Sequence, residues 1–360
     1  MSANWGSHIE LSLFGESHGE AIGIVIGNLP AGICLDKEQI RWYMKRRAPG
    51  QNKMSTPRQE KDEVHIVSGL VDGVTTGAPI CAIIYNQNQH SKDYSELKAC
   101  MRPGHSDYPA YMKYHGFNDV RGGGHFSGRL TAPLVFAGSI ARQILKEKGI
   151  IVGAHIQSIH HIQDQPFPVD IDETLLEQLS SKMYPTLDED VFSKMQEVIE
   201  SARLQQDSVG GIVECAIINV PAGIGNPFFD SIESHLSPLL FSIPAVKSVS
   251  FGQRNITEMY GHEANDAYYY QEGQVKTKTN HNGGVTGGIT NGMPIVFQVG
   301  IKPTPSISQI QETVNVQTQT NTQIQVKGRH DPCIVPRAVP CVEAAVNIAL
   351  LSHMMDYPHF

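Results

Sequence analysis

Three side chains in this 360-residue chain combine proton-transfer chemistry with unusual surroundings: His18, His105 and Asp331. His18 lies in Gly15-Glu16-Ser17-His18-Gly19, a short polar turn between two apolar runs. His105 lies in Arg102-Pro103-Gly104-His105-Ser106-Asp107, and Asp331 in Gly328-Arg329-His330-Asp331-Pro332-Cys333. An imidazole titrates near neutrality, so a histidine that reaches a substrate serves as general acid or base. Taken singly, each residue also has a plain explanation as part of a turn. Their surroundings are what single them out.

Those surroundings are built for anions. Arg121-Gly122-Gly123-Gly124-His125-Phe126-Ser127-Gly128-Arg129 runs directly into a helical segment, where backbone N–H groups and the helix dipole favour negative charge. A nucleotide P-loop is a near miss. Gly123 and Gly128 have its spacing, but Arg129 and Leu130 replace the required Lys and Ser/Thr. The dinucleotide fingerprint also fails, with Ser127 at its third glycine. A second basic cluster is Arg46-Arg47-Ala48-Pro49-Gly50-Gln51-Asn52-Lys53 with Arg58 beyond; Arg329 and Arg337 lie near the other end. Guanidinium groups suit phosphate and carboxylate through bidentate hydrogen bonds. A further glycine-rich stretch, Asn282 to Gly292, reads either as a pair of hairpin turns or as backbone that closely approaches a flat ligand. Lys302-Pro303-Thr304-Pro305-Ser306 follows it.

Net charge of -8 argues against a nucleic-acid binder. Six cysteines without a C-x-x-C pair fit reduced thiols rather than a disulfide framework or a zinc site. No signal peptide is apparent, and no apolar run reads as a span of about 20 residues. The expectation is a soluble cytoplasmic protein with no membrane or nucleic-acid partner.

The elements that must position these groups are legible in outline. An apolar strand from Ala21 to Ile26 leads through Pro30-Ala31-Gly32-Ile33 to a helix over 36–47. The same grammar recurs with a strand over 212–220, Pro221-Ala222-Gly223-Ile224, and a helix over 230–240. The recurrence implies two related halves. Further strands are expected over 63–67 and 79–85, and a helix over 131–148 with Thr131 as N-cap, Pro133 in its first turn and Gly149 as its stop. Two amphipathic outer helices are expected over 172–205, and a C-terminal helix over 337–355. Strands in hairpins and helices in blocks predict α+β. The connection from Asn86 to Leu130 is long, which marks a functional segment.

In their order along the chain, the segments 15–19, 46–51, 102–107, 121–124, 287–292, 302–306 and 328–333, with Pro336 to Pro340, strongly resemble chorismate synthases. The resemblance covers nearly the whole chain. It implies a helical layer sandwiched between two antiparallel sheets with pseudo-twofold halves, a single domain over 1–360, and a homotetramer. It also implies a lyase reaction, the 1,4-elimination of phosphate from 5-enolpyruvylshikimate 3-phosphate to give chorismate. That step ends the shared part of the shikimate pathway to aromatic amino acids and requires reduced FMN without net redox turnover.

By the same resemblance His18 is the general acid near the departing phosphate. His105 protonates the reduced flavin or stabilises its charge, and Asp331 helps it accept the substrate proton. FMN contacts fall on His125, Phe126, Ser127, Pro244, Ala245, Gly287, Lys302, Pro303, Thr304, Pro305, Ser306 and Arg329. Arg47, Arg129 and Arg337 match groups for the substrate anions, and Arg47 and Lys53 match positions credited with NADPH contact in some members. Nothing reads as a nicotinamide site, so an external source of reduced FMN is expected. The chain departs from the family where Arg-Ser-Ser-Ala-Arg-Glu-Thr becomes His125-Phe126-Ser127-Gly128-Arg129-Leu130-Thr131, at Ala48 in place of a third arginine, and at Pro305 in place of a frequent serine. The expectation is the same reaction with an altered loop. Two other readings compete: a phosphotransferase using Gly123 to Thr131, which needs nucleotide and Mg²⁺, and a non-enzymatic flavin- or anion-binding scaffold.

Overall fold

The computed structural model describes residues 3–50, 62–87, 98–326 and 330–357. Lys53, Arg58 and Arg329 therefore lie outside the described residues. Two five-stranded antiparallel sheets enclose a layer of helices. The first sheet has the order Asn4–Trp5, Glu10–Gly15, Ala21–Gly27, Ile80–Tyr85, His65–Ser68. The second has the order Ile162–Gln163, Ile151–Ile159, Gly211–Ile218, Ile295–Ile301, Val246–Phe251. Between them lie helices Lys37–Arg47, Thr131–Glu147, Ile232–Ser242 and Val335–Met354. This is the α+β sandwich of two sheets about a helical layer.

Composition explains which helices go inside. Thr131–Glu147 and Val335–Met354 are apolar nearly all round and buried along almost their whole length, as expected for helices packed on every side. Val335–Met354 is in fact long and apolar enough to cross a membrane, which corrects the expectation that no such run exists. It is 94% buried inside the protein, so its hydrophobicity belongs to the core. The two central helices cross at Gly138, where an added Cβ would stand 2.3 Å from Cα and Cβ of Ala344. Lys37–Arg47 starts at Asp36, whose carboxylate accepts from the N–H groups of Glu38 and Gln39, and ends on three cations, Lys45, Arg46 and Arg47.

Arg46 turns into this layer and away from any ligand. Its Nη1 donates to Glu343 Oε2 at 2.6 Å with both side chains fully buried, and Glu343 Oε1 also accepts from the Ala154 N–H at 3.2 Å. Removing one partner of a buried pair strands the other charge. Glu343→Ala is therefore expected to lower unfolding free energy by about 3–5 kcal/mol, as measured by denaturant titration.

The two halves share connectivity as well as strand order. In each, the two strands before the Pro-Ala-Gly-Ile segment, a helix, an edge strand, a small hairpin, a further strand and a buried helix follow one another. The Pro-Ala-Gly-Ile copies also make the same hydrogen bonds. Thr75 Oγ1 donates to Pro30 O and accepts from Ile33 N–H, while Thr290 Oγ1 donates to Pro221 O and accepts from Ile224 N–H. The matching hairpins are Gly69-Leu70-Val71-Asp72-Gly73-Val74-Thr75-Thr76-Gly77-Ala78-Pro79-Ile80 and Gly284-Val285-Thr286-Gly287-Gly288-Ile289-Thr290-Asn291-Gly292-Met293-Pro294-Ile295. Glycine, threonine, proline and isoleucine recur at the same places in the two.

The expected helices over 172–205 are Glu173–Ser181 and Glu189–Leu204; they pack on the second sheet, burying Leu176, Leu179, Met195 and Ile199. Thr131 is the first helical residue and not the N-cap; Leu130 holds that place, and the Thr131 hydroxyl donates to Gly128 O at 2.7 Å. The connection after Tyr85 also contains a helix of its own, Asp107–Tyr114.

Candidate active site

The site forms where two corresponding connections meet, each running from a sheet strand to a central helix. One joins Ile80–Tyr85 to Thr131–Glu147, and the other joins Ile295–Ile301 to Val335–Met354. They are tied together directly. Lys302 Nζ donates to Gly104 O, Arg102 Nη1 donates to Ser306 Oγ at 3.0 Å, and Met101 N–H donates to Val314 O at 3.3 Å.

His18 is presented by the turn between Glu10–Gly15 and Ala21–Gly27. Asn86 Nδ2 clamps that turn by donating to Glu16 O at 3.1 Å and Gly19 O at 2.9 Å. Ser17 and His18 are buried, and Ser17 N–H donates to Gly124 O at 3.1 Å. His125 Nδ1–H donates to Gly15 O at 2.8 Å. The glycine run therefore packs against the His18 turn as bare backbone. Gly122 has φ +58°, and a Cβ there would fall 2.1 Å from His18 Nδ1. One residue on, a Cβ at Gly123 would lie 3.4 Å from His105 Cε1 and Nε2. The two histidines thus touch adjacent glycines.

His105 Nδ1 stands 2.7 Å from Asp107 Oδ1. Arg102 holds the same carboxylate with Nε at 2.7 Å from Oδ2 and Nη2 at 2.8 Å from Oδ1. Burial alone would raise the Asp107 carboxyl, but hydrogen bonds from Arg102 and His105 hold it well below the usual range. Arg121 is occupied differently, forking onto Asp119 at 2.9 and 2.8 Å. That contact depresses the Asp119 carboxyl.

The three arginines expected for substrate anions converge. Arg47 Nη1 donates to Arg129 O at 3.2 Å, and Arg337 Nε donates to Arg47 O at 3.0 Å. Arg47 and Arg129 share one buried carboxylate, Asp62, with Arg47 Nη2 at 3.3 Å and Arg129 Nη1 in direct contact. Arg129 Nε also donates to Asn86 Oδ1 at 3.1 Å, linking the cluster to the His18 turn. Burial, together with Arg337 and Arg129, lowers Arg47 to about 10 against the pull of Asp62. Burial opposes ionisation of Asp62, yet the surrounding guanidinium groups keep its carboxyl depressed. Asp331 Oδ2 stands 2.6 Å from Arg337 Nη1. Among the described residues these three cations face Asp62 and Asp331, and Arg47 Nε is buried with no hydrogen-bond partner there. Guanidinium groups gathered in this way can receive an anion.

The remaining expected residues divide. Thr304 Oγ1 donates to Asp331 O at 2.8 Å and Lys302 Nζ donates to Gly104 O, so Lys302 to Ser306 adjoins the His105 turn and Asp331, while Lys302 N–H donates to Ala245 O at 3.0 Å. Ser127 Oγ accepts from Arg129 N–H at 3.3 Å, and Phe126 is partly exposed beside the Tyr114 ring. Gly287 lies on the second-half hairpin, where neighbouring Gly288 meets Asn226 and Ser231, and among the described residues the hairpin bonds with the segment from Pro221 to Ile232. Asp62, Asn86, Arg102 and Asp107 were not singled out from the sequence. Asp107 alone had a local signal, two residues after His105. His330 also belongs here: burial lowers its imidazole, and the Arg102 charge adds to the effect.

A family model described as chorismate synthase matches residues 9–355. Chorismate synthase of Thermococcus gammatolerans is 46% identical over 352 residues, covering 97% of each chain. That of Pyrococcus abyssi is 46% identical over 351 residues, again 97% of each. A crystal structure of a chorismate synthase superposes with a TM-score of 0.76 at 25% identity, covering 98% of this chain and 93% of that one. Family match, fold and full-length similarity agree: the chain belongs to the chorismate synthase family.

Proposed function

We propose that this chain converts 5-enolpyruvylshikimate 3-phosphate to chorismate by 1,4-elimination of phosphate, with reduced FMN bound. The observation that carries the reading is the cluster of Arg47 and Arg129, both buried, with the partly exposed Arg337, joined through Asn86 to the His18 turn and through Asp331 and Thr304 to the 302–306 segment. A substrate with one phosphate and two carboxylates is an anion of the kind that guanidinium groups receive.

The residues present fit a flat, phosphate-bearing cofactor. The 122–124 backbone is a wall that a Cβ would drive into His18 or crowd against His105. Ser127 packs on Gly123, and Lys302 and Pro305 lie against Gly104 beside His105. In this reading His125, Phe126, Ser127, Pro244, Ala245, Gly287, Lys302 to Ser306 and Arg329 hold FMN. When bound and reduced, FMN supplies electron density to the allylic system, which side chains do not readily do. His18 delivers a proton toward the departing phosphate, and the arginines hold the anions in register and exclude water from them. His105 presents Nε2 beside Gly123, and Asp331, paired with Arg337, would help the bound flavin accept the proton that leaves carbon.

The same reading takes 1–360 as one domain of two related halves, supported by the repeated hydrogen bonds about Thr75 and Thr290. It also takes the enzyme as a cytoplasmic homotetramer fed by an external flavin reductase, with Arg47 and Lys53 serving substrate rather than NADPH. The test is anaerobic. Phosphate release is expected with dithionite-reduced FMN and not with FMN plus NADPH alone. A folded, flavin-binding sample inactive under both conditions overturns the reaction, and turnover on NADPH alone overturns the external reductase.

A further inference from the structure

We propose that Asp107 is a positioning residue for His105, fixing its ring with a proton on Nδ1 and Nε2 turned toward the glycine wall, while Arg102 and Ser306 lock that setting to the 302–306 segment. A carboxylate accepts hydrogen bonds and donates none. With Asp107 Oδ1 only 2.7 Å from Nδ1, that nitrogen must carry the proton in the neutral ring as well as in the cation. The other candidate partner, Ser106 Oγ, is at 3.4 Å and makes the weaker contact. Nε2 is then the atom that exchanges protons, and it is one of the two ring atoms nearest the Gly123 position.

Asp107 is itself immobilised. Its Oδ2 accepts from the Arg102 N–H at 3.1 Å and from Arg102 Nε at 2.7 Å, and its Oδ1 from Arg102 Nη2 at 2.8 Å. It also opens the Asp107–Tyr114 helix, where a negative charge in the first turn is favourable. Arg102 spends its remaining Nη1 on Ser306 Oγ at 3.0 Å. The ring orientation is therefore registered against the very segment assigned to the cofactor. Where a carboxylate orients a catalytic histidine in other enzymes, its change to Asn inverts the tautomer and costs about 10⁴ in kcat with the geometry intact.

The kinetic part rests on the function proposed above; the placement of the proton does not. Histidine-selective ¹⁵N NMR of the full-length protein, with His105 assigned through His105→Gln, is expected to show Nδ1–H in the wild type and Nε2–H in Asp107→Asn. Under anaerobic reduced FMN, Asp107→Asn should lose at least about tenfold in kcat, with KM and the flavin dissociation constant within about threefold. Asp107→Glu should restore part of the rate. Nε2–H in the wild type overturns the proposal and requires no variant to fold. An Asn variant with unchanged tautomer and rate overturns it equally. A wild type that shows Nδ1–H but no turnover would instead sink the assigned reaction and leave the positioning intact.

Discussion

Gly122→Ala is expected to reduce turnover about a hundredfold or more while both sheets remain folded. The added methyl would stand 2.1 Å from His18 Nδ1 and 2.2 Å from Cε1, on a residue at φ +58°. The left-handed backbone alone costs an alanine about 1–2 kcal/mol. The larger consequence is positional: His18 is buried, so the ring must shift or the loop must lift from it. A displacement near 1 Å at a reacting group is enough for about 10² in rate. Gly128→Ala in the same loop is the control. Its Cβ meets nothing within 4 Å, so its rate should match the wild type within about twofold. Steady-state phosphate release with circular dichroism on both variants checks the pair; equal rates in Gly122→Ala and wild type would remove His18 from the reaction.

His105→Ala and Asp331→Ala should each lower turnover at least tenfold while flavin binding is retained. Positioned acid–base groups typically contribute about 10²–10⁴. Neither change should unfold the chain. His105 reaches only Asp107 and Ser106 among the contacts described for its ring, and the Asp331–Arg337 pair is partly exposed, where ion pairs contribute little stability. Loss of rate that merely follows loss of flavin binding, and is restored at saturating reduced FMN, would make both residues structural. Flavin fluorescence titration beside the rate assay separates the outcomes.

Periodicity and punctuation carried the helices well, because Asp36, Gly149 and Pro49 act locally. The Pro-Ala-Gly-Ile repeat was also visible, since its function is a local turn closed by one threonine. Its other component, the glycine hairpin at Gly69 to Ile80, shares only scattered glycine, threonine, proline and isoleucine positions with its counterpart, and Thr75 and Thr290 making the same bonds give that pattern its meaning. Arg46 and Arg47 show the limit most clearly. Adjacent on one helix, they point in directions about 100° apart, one to Glu343 in the core and the other to Asp62 in the site. Nothing in the run of charges separates those fates. Asp62 had no signal at all, because both of its arginine partners come from other elements. Thr131 failed as an N-cap because the preceding 3-10 turns, Arg121–Phe126 and Gly128–Leu130, feed the helix directly.

The central claim is that these residues serve an elimination in which flavin is required but not consumed. The most direct measurement reduces the enzyme's FMN once, anaerobically, removes excess reductant, and counts phosphate and chorismate formed from 5-enolpyruvylshikimate 3-phosphate. Equal amounts of both products and many turnovers for each reduced flavin are expected. Product limited to one per reduced flavin, or phosphate without chorismate, would contradict it.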